Sequence, residues 1–193
     1  MTNNLKLINY GYLLRKIPNT LLASLKQECR EASILTHKPL ISGLSDRHGI
    51  PAHFLVNDKE SVQHCVSKLS GDFLEEYKEA YDMKFKSDGT VFKGLYCGDP
   101  WINIQKAGDH IPNHDHVGFL SYTIWVNMPP ESTFEFIYSA VTGDLIRYKL
   151  NLTKESEGSI LIFPSKLVHC VYPFYNTNEK RASVSGNLYL RDS

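Results

Sequence analysis

From Val91 to Leu190 the chain is a succession of short runs rich in Val, Ile, Tyr, Phe and Trp, eight in all, separated by turn residues. They are Val91 to Tyr96, Trp101 to Lys106, Phe119 to Asn127, Thr133 to Ser139, Asp144 to Leu150, Ser159 to Phe163, Val168 to Phe174 and Arg181 to Leu190. Runs of this length and composition are strands. Thr142-Gly143-Asp144 links two of them at hairpin distance, so those neighbours pair antiparallel. This many short strands in so short a segment points to a jelly roll or barrel. In the last run Arg181, Ser183, Ser185, Asn187 and Tyr189 alternate with Ala182, Val184, Leu188 and Leu190. The polar row faces either water or an internal cavity, and in the second case the apolar row packs on helices.

Those helices are expected upstream. Pro18 and Asn19 open a helix to about Ala32, with Leu21, Leu22, Leu25 and Cys29 at helical spacing. Asn57 and Glu60 form a capping box, followed by one apolar stripe through Val62, Cys65, Val66, Leu69, Phe73, Leu74, Tyr77 and Tyr81. Ser42 to His53 reads as a loop. The expected architecture is therefore mainly β, with N-terminal α-helices packed on one sheet. At 193 residues the chain is long enough for one sizeable core, and a single domain is expected, residues 1–90 forming a mostly helical support and 91–193 the strand core.

Composition excludes several classes of function. Lys plus Arg number 21 and Asp plus Glu number 21, so no net field draws nucleic acid or anionic lipid. No basic strip with interleaved aromatics marks a nucleic-acid site. The first twenty residues lack a signal-peptide core, and no stretch reaches the roughly 18 to 20 apolar residues a bilayer requires. A cytoplasmic protein is expected. Cys29, Cys65, Cys97 and Cys170 are widely spaced without a C-x-x-C pair, which fits buried free thiols.

The chemistry lies in the histidines. Asp109-His110-Ile111-Pro112-Asn113-His114-Asp115-His116 carries three of the eight. On extended backbone His114 and His116 point to one side, about 6 to 7 Å apart, and Asp115 points away. Two imidazoles so placed can share a metal ion, and His169 is the best candidate for a third ligand. Taken singly, each fits a plainer role: an H-x-H pair fits exposed polarity, and His169 between Leu167, Val168 and Val171 fits a satisfied core histidine. His37, His48, His53 and His64 have no partner pattern, and the surroundings of His110 do not decide its role.

The runs W-I-N-I-Q-K-A-G-D-H-I-P-N-H-D-H-V-G-F-L-S-Y-T-I-W-V-N-M-P, G-S-I-L-I-F-P-S-K-L-V-H-C-V-Y-P and K-R-A-S-V-S-G-N resemble the Fe(II)- and 2-oxoglutarate-dependent oxygenases. Within these the chain is most similar to a small group found in marine bacteria and their phages. The resemblance covers roughly Trp101 to Leu190. A histidine pair is followed 53 residues later by a second histidine, and an arginine in an R-x-S context comes 12 residues after that. The resemblance implies a double-stranded β-helix, a jelly-roll form also seen in cupins, with the metal at its open end. It implies Fe(II) held by His114, His116 and His169, and 2-oxoglutarate held by Arg181 and Ser183. His116 stands where most members carry a carboxylate, which leaves the full dipositive charge on the metal. Asp115 is the alternative carboxylate only if the backbone there is not extended. Asn103, Gln105, Tyr122 and Trp125 fall near the expected mouth; Asn103 and Tyr122 are counted with the cofactor-binding residues, and Trp125 fits a pocket wall and core packing equally.

The activity implied is oxidation of a substrate coupled to decarboxylation of 2-oxoglutarate. The substrate is a small molecule or a protein side chain, and the oligomeric state is open. Two other classes stay open: a cupin-type three-histidine dioxygenase or isomerase that does not use 2-oxoglutarate, and a jelly-roll binding module without catalysis.

Overall fold

The computed structural model describes residues 11–34, 52–89, 91–140 and 142–191. Its first half contributes β1 (Leu13–Lys16), α1 (Asn19–Ile34), β2 (Ala52–Leu55), α2 (Lys59–Glu76) and α3 (Lys78–Asp88). The second half contributes β3 (Leu95–Cys97), β4 (Trp101–Gln105), β5 (Ile111–His114), β6 (Leu120–Asn127), β7 (Ser132–Ser139), β8 (Leu145–Leu152), β9 (Ser159–Pro164), β10 (Val168–Val171) and β11 (Arg181–Leu190). The strands form two antiparallel sheets. The larger runs β1-β9-β6-β11-β4-β2, with β3 also paired to β11, and the smaller runs β5-β10-β7-β8.

Strand alternation sorts the residues into two cores. Leu120, Ile124 and Val126 of β6, Ile160 and Ile162 of β9, Ile102 and Ile104 of β4, and Val184 and Leu188 of β11 pack against Leu21, Leu25 and Cys29 of α1 and Val62, Val66 and Phe73 of α2. The opposite face of the large sheet, with Trp125, Leu161 and Phe163, meets Phe134 and Phe136 of β7 and Leu152 of β8. The large sheet is thus covered on both faces, by helices on one and by the small sheet on the other. Burial of nearly every residue of β6 and β9 follows from this position. Together the layers make the expected jelly roll with helices on one sheet, and β7 and β8 pair antiparallel across the hairpin that contains Gly143. Gly186 lies opposite Tyr122 in the ladder, and a Cβ there would clash with the Tyr122 hydroxyl and ring, so the glycine makes room for that side chain.

Several expectations need correction. Three strands lie outside the eight runs. β1 and β2 come from the N-terminal half and form the two edges of the large sheet, and β5 contains Pro112. Proline is admissible there because β5 is itself an edge strand, where one side of the backbone needs no partner. The run from Val91 becomes a strand only at Leu95, and the run from Val168 ends at Val171. The N-cap of α2 is Asp58, whose side chain accepts from Ser61 N–H, not Asn57. The Asn57 and Asp58 N–H groups are instead taken by the buried carboxylate of Glu28 on α1, at 2.7 and 3.2 Å. The long apolar stripe is also two helices, α2 and α3, broken at Tyr77. The Tyr77 hydroxyl donates to Tyr12 C=O at 3.0 Å and accepts from Tyr12 N–H at 3.2 Å, tying the break to the approach to β1. Of the loop expected from Ser42 to His53, residues 42–51 lie outside the described residues, and Ala52 and His53 open β2. His37 and His48 also lie outside them. All four cysteines are free, Cys29 and Cys170 buried and Cys65 and Cys97 half-buried. No helix among the described residues is long and apolar enough to cross a membrane.

Candidate active site

β10 pairs with β5 so that His169 stands directly across from His114, and the chain leaving β5 is held by a hydrogen bond from His116 N–H to Ser165 C=O at 2.9 Å. These backbone constraints bring the three rings together. Centroids lie 4.2 Å apart for His114 and His169, 5.0 Å for His114 and His116, and 5.1 Å for His116 and His169. One nitrogen from each ring falls within 4.8 Å of the others, so the trio could hold a metal ion. His114 Nδ1 lies 2.8 Å from Pro112 C=O and His169 Nδ1 lies 2.9 Å from Leu167 C=O. A carbonyl can only accept, so both Nδ1 atoms carry protons and both Nε2 lone pairs are available to a ligand. The Asp115 carboxylate is turned the other way, to Lys166 Nζ at 3.3 Å on the surface.

Burial keeps two of these rings neutral. His169 is 2% exposed, stacked on Phe134 at 5.3 Å with the Phe163 edge at 4.8 Å. Desolvation, reinforced by His114, pushes its pKa down to about 3, and the same causes bring His116 to about 4. A neutral imidazole is the form that binds metal, so at neutral pH both are ready for it.

A cavity of about 370 Å³ opens beside the histidines, between the sheets. Its wall on the large sheet is the polar row of β11: Arg181, Ser183 and Ser185 face the cavity while Ala182, Val184 and Leu188 lie under the helices. Of the two orientations open for that row, the cavity is the one realised. Asn103 donates to Ser183 Oγ at 3.3 Å and to Ser185 Oγ at 3.0 Å, and accepts from Trp101 Nε1–H at 3.1 Å. Arg181 is 2% exposed. Its Nε donates to Gln105 Oε1 at 2.9 Å and its Nη2 to Tyr172 C=O at 2.8 Å, and the guanidinium lies over the Phe174 ring at 4.9 Å. Nη1 has no partner, and no carboxylate among the described residues forms an ion pair with this cation. Desolvation, opposed by the Asp109 carboxylate, brings its pKa down to about 10, which still leaves it charged at neutral pH. A buried donor left unpaired costs about 1–3 kcal/mol, more when charged, so an unmatched guanidinium facing a cavity marks a site for an anion.

The sequence-based candidates therefore divide. His114, His116, His169, Arg181, Ser183 and Asn103 converge on one cavity. Tyr122 does not join them through its side chain. It borders the cavity, but strand alternation puts its ring in the core with Leu120 and Ile124, and its hydroxyl lies 3.8 Å from Cys97 Sγ. Trp125 serves as both cavity wall and core residue. His110 and His64 are exposed and stand outside the cluster. Gln105, placed near the mouth by sequence, does line this cavity, where it is buried against Arg181, a contact that the pairing of β4 with β11 produces. A larger cleft of about 890 Å³ lies between α1 and α2; it is lined by His64 but by none of the residues that converge on the histidine cavity.

Residues 99–187, which contain the three histidines and Arg181, match the model of the family described as "Putative 2OG-Fe(II) oxygenase". No curated protein matches the chain in sequence. Among solved structures it is similar to a prolyl-4-hydroxylase of Pseudomonas putida, at 15% identity over 94% of both chains with a TM-score of 0.57. It is similar also to the viral collagen prolyl hydroxylase of Paramecium Bursaria Chlorella virus-1, at 12% identity over 95% of this chain and 97% of that one, TM-score 0.56. A third is a prolyl hydroxylase from Trichoplax adhaerens in complex with a hypoxia inducible factor peptide fragment, at 11% identity over 95% and 84%, TM-score 0.59. At such identities the likeness is one of fold. The family match spans 89 of the 193 residues, a little under half of the chain, so over the segment that carries the histidines and Arg181 the chain is similar to the Fe(II)- and 2-oxoglutarate-dependent oxygenases. The matched segment and the fold support an oxygenase that uses Fe(II) and 2-oxoglutarate over the cupin-type and binding-module alternatives.

Proposed function

We propose that His114, His116 and His169 are the iron ligands and that Arg181, assisted by Ser183 and Asn103, holds the distal carboxylate of 2-oxoglutarate. The observation that carries this assignment is the buried Arg181, with Nη1 unpartnered and no direct ion pair among the described residues, lining the same cavity as three imidazoles with ligand-ready nitrogens. The donor set suits both groups. Imidazole nitrogen is a good ligand for ferrous iron, and three protein ligands leave positions for the cosubstrate and O₂. Arginine suits a carboxylate because its hydrogen bonds are charge-assisted. When bound, iron and cosubstrate supply the oxidising chemistry: O₂ is reduced as 2-oxoglutarate loses CO₂ to become succinate, and the substrate is oxidised.

The chain's own part is positioning. Pro112 and Leu167 carbonyls fix the tautomers of His114 and His169, and Trp101 stands beside the His116 ring at 6.1 Å. Phe134, Phe163, Met128 and Trp125 wall the cavity with apolar surface and limit the water around the charged groups. Three neutral ligands leave the metal dipositive, which favours a dianionic cosubstrate. Half-buried Trp101, Ile111 and Val171 border the cavity, which supports a substrate with apolar surface, either a small molecule or a protein side chain. Neutral net charge is against nucleic acid as that substrate. Free cysteines fit a reducing cytoplasm, and N-terminal strands that complete the large sheet fit a chain acting as one domain.

The test is succinate formation from 2-oxoglutarate by the Fe(II)-loaded protein across a panel of small molecules and peptides. Turnover stimulated by at least one substrate and lost in His169→Ala and Arg181→Ala is expected. Full turnover in either variant would contradict the assignment.

A further inference from the structure

We propose that Gln105 is a specificity residue for the ionised distal carboxylate of 2-oxoglutarate, donating from Nε2 alongside Arg181 Nη1. The inference rests on the role given to Arg181 above. Gln105 lies on β4 directly across from Arg181 on β11 and is itself 2% exposed. Arg181 Nε can only donate, so the amide atom 2.9 Å from it must be Oε1, and this fixes the orientation of the amide. Nε2 is then left as a donor, buried and without a partner, like Arg181 Nη1. Neither side chain is free to turn away. Arg181 is held by Gln105, by Tyr172 C=O and by the Phe174 ring.

Burying a hydrogen-bond donor without a partner is unfavourable, so two such donors side by side point to a ligand that accepts from both. Both residues line the 370 Å³ cavity. This end of it therefore presents one cationic and one neutral N–H to the same ligand. A carboxylate, with two accepting oxygens and a negative charge, satisfies both. Gln105→Glu keeps the shape and the acceptor for Arg181 Nε, but it replaces the free donor by an anionic oxygen and neutralises the guanidinium.

The experiment is calorimetric titration of the Fe(II) protein under argon with 2-oxoglutarate and with 2-oxobutyrate, which lacks the distal carboxylate. Wild type is expected to prefer 2-oxoglutarate by about 100-fold, Gln105→Ala to weaken 2-oxoglutarate about tenfold, and Gln105→Glu about 100-fold or more, with metal stoichiometry and 2-oxobutyrate affinity unchanged. If both variants keep the wild-type preference, or weaken the two acids equally, the role of Gln105 is overturned while that of Arg181 stands. A wild type that does not distinguish the acids overturns the role of Arg181, and that of Gln105 with it.

Discussion

Two hydrogen bonds of the same kind, from Nδ1 of His114 to Pro112 C=O and from Nδ1 of His169 to Leu167 C=O, decide which nitrogens the site offers. Each runs to the carbonyl two residues earlier. His169→Ala is therefore expected to abolish stoichiometric iron binding, measured by metal analysis after dialysis. Arg181→Ala keeps the iron and raises the Kd for 2-oxoglutarate by roughly 100-fold, the scale of a lost buried charge-assisted contact of about 3 kcal/mol. Equal loss of both properties in the arginine variant would count against separate roles. Gly186→Ala is expected to lower stability by about 1–3 kcal/mol in chemical denaturation, because the new methyl group meets the Tyr122 ring. These residues were unequally legible from the sequence. The H-x-H spacing showed the histidine pair, and Arg181 came through family resemblance, whereas Gln105 depends on strand register and no local pattern announces it. Tyr122 was misplaced because its neighbours suggested the mouth while its parity on β6 sends the ring under the helices.

Glu157 shows how the elements are fastened together. It lies beyond the 3-10 turn Lys154–Ser156, and its carboxylate accepts from Lys26 Nζ of α1 at 2.6 Å and from Met128 N–H just after β6 at 3.0 Å, with Lys154 Nζ at 3.2 Å. Burial works to raise its pKa, but the contacts with Lys26, Met128 and Lys154 overcome this and the net shift is downward. A carboxylate whose folded pKa lies below its unfolded one contributes stability that is present above the unfolded value and is lost as pH falls through the folded value. Wild type is thus expected to lose stability below about pH 4.5, and Glu157→Gln to be less stable at pH 7 with a shallower acid limb. Urea midpoints from pH 7 to pH 3 read this directly, and identical acid limbs would contradict it. At this scale the eight strand runs were readable because their Val, Ile, Tyr, Phe and Trp content and the turn residues between them marked them out. This holds even where the strand itself is only three or four residues, as in β3 and β10. The short edge strands were not. β1, β2 and β5 have four residues each, too few for a period, and β5 contains a proline that ordinarily argues against a strand. The break between α2 and α3 was hidden for a different reason: the apolar stripe runs through it, and the tyrosine at the break is bonded to Tyr12, a residue just before β1 and distant in sequence.

For the molecule as a whole, the three histidines join β5, β10 and the segment after β5, all at one edge of the small sheet. An ion bound there favours the folded state by mass action, about 2.7 kcal/mol at a free concentration 100 times Kd. Thermal unfolding is expected to shift upward with added Fe(II) under argon and back with chelator, and the shift should vanish in His169→Ala. The three-layer plan places the site where one sheet, already covered by helices, turns its other face to a smaller sheet and leaves a cavity at their open edge. On the proposed assignment one ferrous ion sits among His114, His116 and His169 while 2-oxoglutarate reaches Arg181 in the same cavity. Anomalous diffraction at the iron edge, from crystals grown under argon with Fe(II) and 2-oxoglutarate, tests it most directly. One iron peak within bonding distance of all three imidazoles, with the far carboxylate of the acid on Arg181, is the predicted result; iron bound by Asp115 in place of His116, or a carboxylate elsewhere than Arg181, would contradict it.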